Sequence, residues 1–178
     1  MSGSNGKLLI VDGYNVLRSG SRYRALAGDD FTDDIFNRKR EALLNDVANY
    51  AGREFEAVVV FDGGANVHSA GDTESFGGVK IVFSPSGSSA DKVIERLAHN
   101  ARERGRETLV ISSDATIQET VFGGGVTRMS AEGFCRELAL GYEENHLTFT
   151  PRPAKKNKLS GRIPAETLEK LKSLRDSL

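Results

Sequence analysis

Cysteine occurs once in this chain, at Cys135, so no intrachain disulfide can form. That points to a reducing compartment. Cys135 follows Phe134 in an expected helix and reads as a small buried hydrophobe. With one cysteine and 3 histidines there is no cluster from which to build a structural zinc site. Long apolar runs are missing too: nothing approaches the ~18 residues a membrane span needs, so no membrane association is expected. Residues 1–6 are small and polar, carry no apolar signal region, and are expected to be flexible. The expected compartment is the cytoplasm, or an organellar stroma or matrix if a targeting segment has been removed. The chain also lacks an excess of charge of either sign. Lys and Arg total 24 against 25 for Asp and Glu, a formal net charge of -1. The overall charge therefore says nothing about a nucleic-acid partner, and only its distribution is informative.

That distribution is uneven near the C-terminus. Between Pro151 and Arg162 stand Arg152, Lys155, Lys156, Lys158 and Arg162, with no acidic residue among them. Such a block attracts phosphates, although a solvated linker has the same composition. Upstream there is no internal repeat. Short apolar runs alternate with helical spacing: strands are expected at Leu8–Val11, Ala57–Phe61, Val79–Phe83, Thr108–Ile111 and Val126–Met129. Helices are expected over 33–51, 90–104, 114–122 and 131–142, a glycine-rich loop over 63–78, and a substrate loop over 19–30. The alternation predicts an α/β fold with a mostly parallel central sheet flanked by helices. A last helix is expected over 164–178, with Leu168, Leu171, Leu174 and Leu178 as its apolar stripe. Domain boundaries follow: a flexible start at 1–6, one α/β domain over 7–150, and a basic linker with a terminal helix over 151–178.

Carboxylates occupy equivalent places in this pattern. Asp12 follows LLIV, Asp62 follows AVVVF, Asp114 follows TLVI and two serines, and Asp91 opens a helix after SSA. In an open parallel sheet, ligands bind beyond the carboxyl ends of the strands. Asp12, Asp62 and Asp114 would share that edge, and Asp91 joins it because a helix after a strand begins there. Asp91 falls on the side of Ile94 and Ala98, and Glu95 follows one turn later as a supporting group. Carboxylates gathered this way either protonate or take up a cation. An oxygen-only donor set favours Mg2+ or Mn2+, and the implied chemistry is metal-assisted phosphodiester hydrolysis. Each aspartate taken singly is also a common turn or cap residue.

LLIVDGYNVL resembles the first motif of NYN-domain ribonucleases, in particular the YacP-like branch. VVVFDGG, SSADKVIE, VISSDATIQ and the leucine-rich end resemble that branch's later motifs. The resemblance implies a PIN-like three-layer fold and a metal-dependent endoribonuclease. It implies mRNA as substrate and association with the translating ribosome. It assigns Asp12, Asp91 and Asp114 as metal-binding catalytic residues, with Asn15 and Ser113 beside them. Arg18, Arg22, Arg24, Lys92 and the basic tail are candidate RNA contacts, and Tyr14 and Tyr23 candidate stacking residues. The stretch from 63 to 78 has few basic residues for an RNA-facing segment. A phosphatase with an aspartate nucleophile usually has a second Asp two residues on. Tyr14 stands there instead, which argues against that class. The alternative is a non-catalytic RNA- or ribosome-binding module with the same fold.

Overall fold

The computed structural model describes residues 6–26, 33–63 and 73–148. The chain divides into two units, residues 1–143 and 144–178; the first carries the sheet and its helices, the last of which continues to Thr148. The central strands are apolar at nearly every position because both of their faces are covered. Strand β1 (Lys7–Asp12) sends Leu9 and Val11 into one core and Leu8 and Ile10 into the other, the period-two alternation of a strand. It pairs in parallel with β2 (Phe55–Phe61) on one side and β5 (Thr108–Ile111) on the other. Parallel β4 (Val79–Phe83) extends the sheet beyond β2, and parallel β6 (Val126–Met129) beyond β5. The edge strand β3 (Thr73–Phe76) is antiparallel to β4, giving the order β3-β4-β2-β1-β5-β6.

Helices cover both faces. Helices α1 (Gly13–Ser19), α2 (Ser21–Arg24), α3 (Asp33–Ala51) and α6 (Ala131–Thr148) contribute Val16, Tyr23, Leu43, Val47, Phe134 and Leu138 to one core. Helices α4 (Ala90–Glu103) and α5 (Ala115–Thr120) contribute Val93, Ile94, Ala98 and Ile117 to the other. Each large side chain so buried contributes roughly 1.5–3 kcal/mol. This is the three-layer α/β sandwich that the alternating pattern implies.

Four details differ from the sequence expectation. Helix α1 over Gly13–Ser19 is not among the expected helices. The stretch from 63 to 78 is not all loop, because β3 forms a hairpin with β4. Gly77 and Gly78, at φ of 56° and 84°, make the two-residue turn that suits such a hairpin. Around the expected substrate loop, residues 21–24 are helical, while 27–32 lie outside the described residues. Helix α6 runs on to Thr148, past the expected end at Tyr142. The expected terminal helix lies outside the described residues.

Buried Asp46 of α3 fastens the start of the chain to this frame. Its carboxylate accepts from Arg22 Nε at 2.7 Å and Nη2 at 3.1 Å, from the Tyr23 hydroxyl at 2.9 Å and from the Tyr142 hydroxyl at 2.9 Å. One buried charge therefore joins α2, α3 and α6, with its oxygens satisfied as burial demands.

Gly13 holds the first turn of α1 close to the sheet. A Cβ there would stand 2.4–2.8 Å from ring carbons of Phe61, and that ring is buried. Gly13→Ala is expected to lower stability by about 1–3 kcal/mol through overpacking, read as an earlier urea midpoint. An unchanged midpoint would show that the Phe61 ring has room to yield.

Candidate active site

The order of strands changes direction at β1. The chain leaves β1 toward β2 and later returns to β5 on its other side. Ligand crevices form beyond the carboxyl ends of strands at such a switch point. Asp12 is the last residue of β1, and Asp114 follows β5 as the cap residue of α5. Both therefore flank the crevice. Asp91 enters from the first turn of α4, and Asp62 follows β2.

Asp12 is only 6% exposed. Its Oδ2 accepts a hydrogen bond from the Ser112 hydroxyl at 3.0 Å. Burial pushes its carboxyl up to about 6; the Ser112 hydroxyl and the Asn15 backbone N–H favour the charged form, while Asp91 and Asp114 oppose it. Asp91 is half-buried and also raised, first by burial and then by repulsion from Asp114, Glu95 and Asp62. The acidic residues singled out in the sequence thus share one electrostatic environment. Among the described residues no lysine or arginine forms an ion pair with Asp12, Asp91 or Asp114.

Serines and amides hold this edge in place. The Ser112 hydroxyl donates to Asp12 and accepts from the Asp114 backbone N–H at 3.1 Å. Asp114 Oδ1 accepts from the Thr116 N–H at 2.8 Å and so caps α5. The Asn15 side-chain oxygen accepts from the Ser113 N–H at 2.8 Å, tying α1 to the end of β5. The Ser113 hydroxyl faces the other way and accepts from the Ala131 N–H at the start of α6. Gln118 of α5 donates to the Ser112 carbonyl at 2.9 Å. Asp62 accepts from the buried Ser84 hydroxyl at 3.0 Å. Ser112 is the residue that sequence reasoning passed over. The resemblance assigns its neighbour Ser113 in VISSDATIQ, yet the buried hydroxyl that joins two aspartates belongs to Ser112. The strand alternation that carries Val110 and Ser112 could have indicated it.

Among the described residues no three carboxylate, imidazole or thiol groups stand close enough to cage one ion. The donor set suits a magnesium-like ion bound another way, through one or two carboxylates and several retained waters. Asp12, Asp91 and Asp114 could hold such an ion, since no ion pair among the described residues offsets their mutual repulsion.

The basic candidates do not all converge on the edge. Arg18, Arg24 and Lys92 are exposed. The Arg22 guanidinium is engaged with Asp46 and lies 5.2 Å from the Tyr142 ring centroid. The Tyr23 ring is fully buried, so it offers no face to a base. Arg152, Lys155, Lys156 and Lys158 lie outside the described residues.

A mostly parallel sheet between two helical layers, with carboxylates at its switch point, defines the class: a PIN-like α/β fold. The chain belongs to the YacP-like NYN domain family, whose pattern it matches over residues 9–176. It is 28% identical over 131 residues to the Bacillus subtilis uncharacterized protein YacP, covering 74% of each chain. It is also similar to the crystal structure of Rae1 (YacP) from Bacillus subtilis, with a TM-score of 0.62, 26% identity, and coverage of 96% of this chain and 95% of that one. A crystal structure of a mutant of the same Rae1 gives a TM-score of 0.63 at 24% identity, covering 94% of this chain and 99% of that one.

Burial of the Asp12 charge has a consequence for stability. The folded-state value of about 6 lies above the ordinary 3.8. The cost is therefore absent below about pH 4, where both states are protonated, and is complete once the pH has risen through 6. Asp12→Asn is expected to raise stability at about pH 8 by at most roughly 3 kcal/mol, without divalent metal, and to be neutral near pH 4. Thermal unfolding followed by circular dichroism in chelator reads this. Equal melting temperatures at the higher pH would mean that the charge is not penalised.

Proposed function

We propose that this protein is a divalent-metal-dependent endoribonuclease that cuts mRNA in association with the translating ribosome. The observation that carries the nuclease reading is the buried Asp12 carboxyl facing repulsion from Asp91 and Asp114, with no ion-paired cation among the described residues to offset it. An edge so built is costly unless it serves a ligand of opposite charge. A magnesium or manganese ion held by Asp12, Asp91 and Asp114 would activate water and screen the charge of the phosphodiester.

The chain's own residues have defined tasks in this reading. Ser112 holds the Asp12 carboxylate toward the crevice, and Asn15 and Ser113 fix the position of α1 against the end of β5. Asp62 and Glu95 would add negative charge around such an ion. Arg18, Arg24, Lys92 and the tail residues Arg152, Lys155, Lys156 and Lys158 draw in RNA phosphates. The ribosome enters through kinship with the YacP-like branch, together with the basic tail in the sequence.

One observation favours the competing reading of a non-catalytic binding module, namely that no three ligating groups are already drawn together among the described residues. Cleavage decides between them. Purified protein with magnesium or manganese should cut mRNA, and Asp91→Asn should reduce the rate on the order of 100-fold or more. Running free mRNA beside mRNA on translating ribosomes shows whether the ribosome is required. Binding without cleavage on either substrate would support the module instead. Replacing Lys155, Lys156 and Lys158 by glutamine should flatten the log–log salt dependence of RNA binding by about 2, at roughly 0.7 per lost contact with single-stranded RNA. An unchanged slope would reduce the tail to a linker.

A further inference from the structure

Helix α3 belongs to the crossover from β1 to its parallel neighbour β2, and so runs opposite to them. Its first turns therefore stand at the same edge as the carboxylates. Phe36 is in those turns and remains 37% exposed. Its ring centroid is 5.6 Å from that of Tyr14, with the planes 30° apart. Tyr14 is two residues beyond Asp12, and its half-buried ring packs edge-on against Phe61 at 5.1 Å. Phe61, against which Tyr14 packs, immediately precedes Asp62, which places this pair of rings beside the acidic edge.

Cations stand one turn along the same face of α3, at positions three and four residues after Phe36. Arg40 lies 5.4 Å and 5.3 Å from the ring centroids of Phe61 and Phe83, which end β2 and β4, and pairs with Glu74 at 3.1 Å. Lys39 is half-buried and forms no ion pair among the described residues. A single exposed phenylalanine needs no explanation. An exposed ring continuous with a second ring, next to a lysine and an arginine and beside a carboxylate edge, has the make-up of a single-strand nucleic-acid site: stacking faces for bases and cations for the backbone.

We propose that Phe36 and Tyr14 form a stacking subsite for the base of an unpaired RNA nucleotide flanking the cleaved phosphate, with Lys39 at its backbone. The inference rests on the nuclease reading and adds where the strand runs: over the start of α3, rather than over the stretch at 63–78, which is poor in basic residues. Because every base has a stacking face, the subsite selects unpaired RNA over duplex without selecting a base.

The test uses the full chain carrying Asp91→Asn, so that RNA survives binding. A short unpaired RNA containing a fluorescent purine analogue is titrated into this protein alone and with Phe36→Leu or Phe36→Trp added. Phe36→Leu keeps an apolar side chain but removes the ring, and should weaken binding roughly 5- to 100-fold and abolish quenching of the analogue. Phe36→Trp should retain binding. It also introduces the only tryptophan of the chain, whose fluorescence should fall on RNA addition but not on duplex addition. Phe36→Leu binding and quenching like its parent would overturn the subsite. If the wild-type protein still cleaves RNA in that case, the nuclease reading stands without it. If wild type neither cleaves RNA nor binds it, both fall together.

Discussion

Parallel pairing of β1 with a strand on each side is the constraint from which the site follows. It buries β1 on both faces and brings the last residue, Asp12, to the point where strand order reverses. Parallel β2 and β5 must end at the same edge, and the helix after β4 must begin there. Four acidic residues from separate parts of the chain are thereby brought to one place. The resulting repulsion is electrostatic work that the apolar layers have to outweigh. The Ser112 hydroxyl limits it, holding the Asp12 carboxylate while accepting from the amide of Asp114. Negative charge is thus concentrated in a fixed geometry, which is what capture of a hydrated divalent cation requires.

The elements around this edge are held by polar contacts of a different kind. Asp46 gathers Arg22, Tyr23 and Tyr142, so the short helices after β1 are anchored at both ends, by the sheet and by α3 with α6. Arg22 and Tyr23 both serve the frame there; the Tyr23 ring is fully buried, whereas the Arg22 side chain stays 42% exposed while paired with Asp46. Tyr14 and Asn15, which border the carboxylates, therefore sit on a segment tied to the sheet and, through Asp46, to α3 and α6. Gly13 contributes by letting the Phe61 ring pack against the turn that carries them.

Much of this was legible in the sequence because strand burial and helix periodicity are local signals. VVVF and TLVI read as strands covered on both faces, and α3 and α4 follow the spacing of their apolar residues closely. Asp12, Asp62 and Asp114 stand out because each comes after such a run, and Asp91 because it opens a helix on the side of Ile94 and Ala98. What was hidden depends on long-range partners. TESF is mostly polar and exposed at every position of an edge strand, so it carries no burial pattern, and only the Gly77-Gly78 pair points to its hairpin. Arg22 is a surface cation, as its sequence suggests, but its pairing with Asp46 on another helix is a long-range contact that the sequence does not display. Tyr23 looked like a candidate for stacking on a base for the same reason. Ser112 carries no charge, and its importance is visible only once β1 and β5 are neighbours.

The central claim is that the carboxylate edge exists to bind a divalent cation, and calorimetric titration of Mn2+ into the wild-type protein near pH 6 tests it most directly. Asp12 is partly protonated at that pH. The account predicts saturable binding accompanied by proton release, seen as a dependence of the heat on the buffer's ionisation enthalpy, with binding weakened in Asp91→Asn and proton release lost in Asp12→Asn. Absence of Mn2+ binding, or binding that is unchanged in both variants, would contradict it.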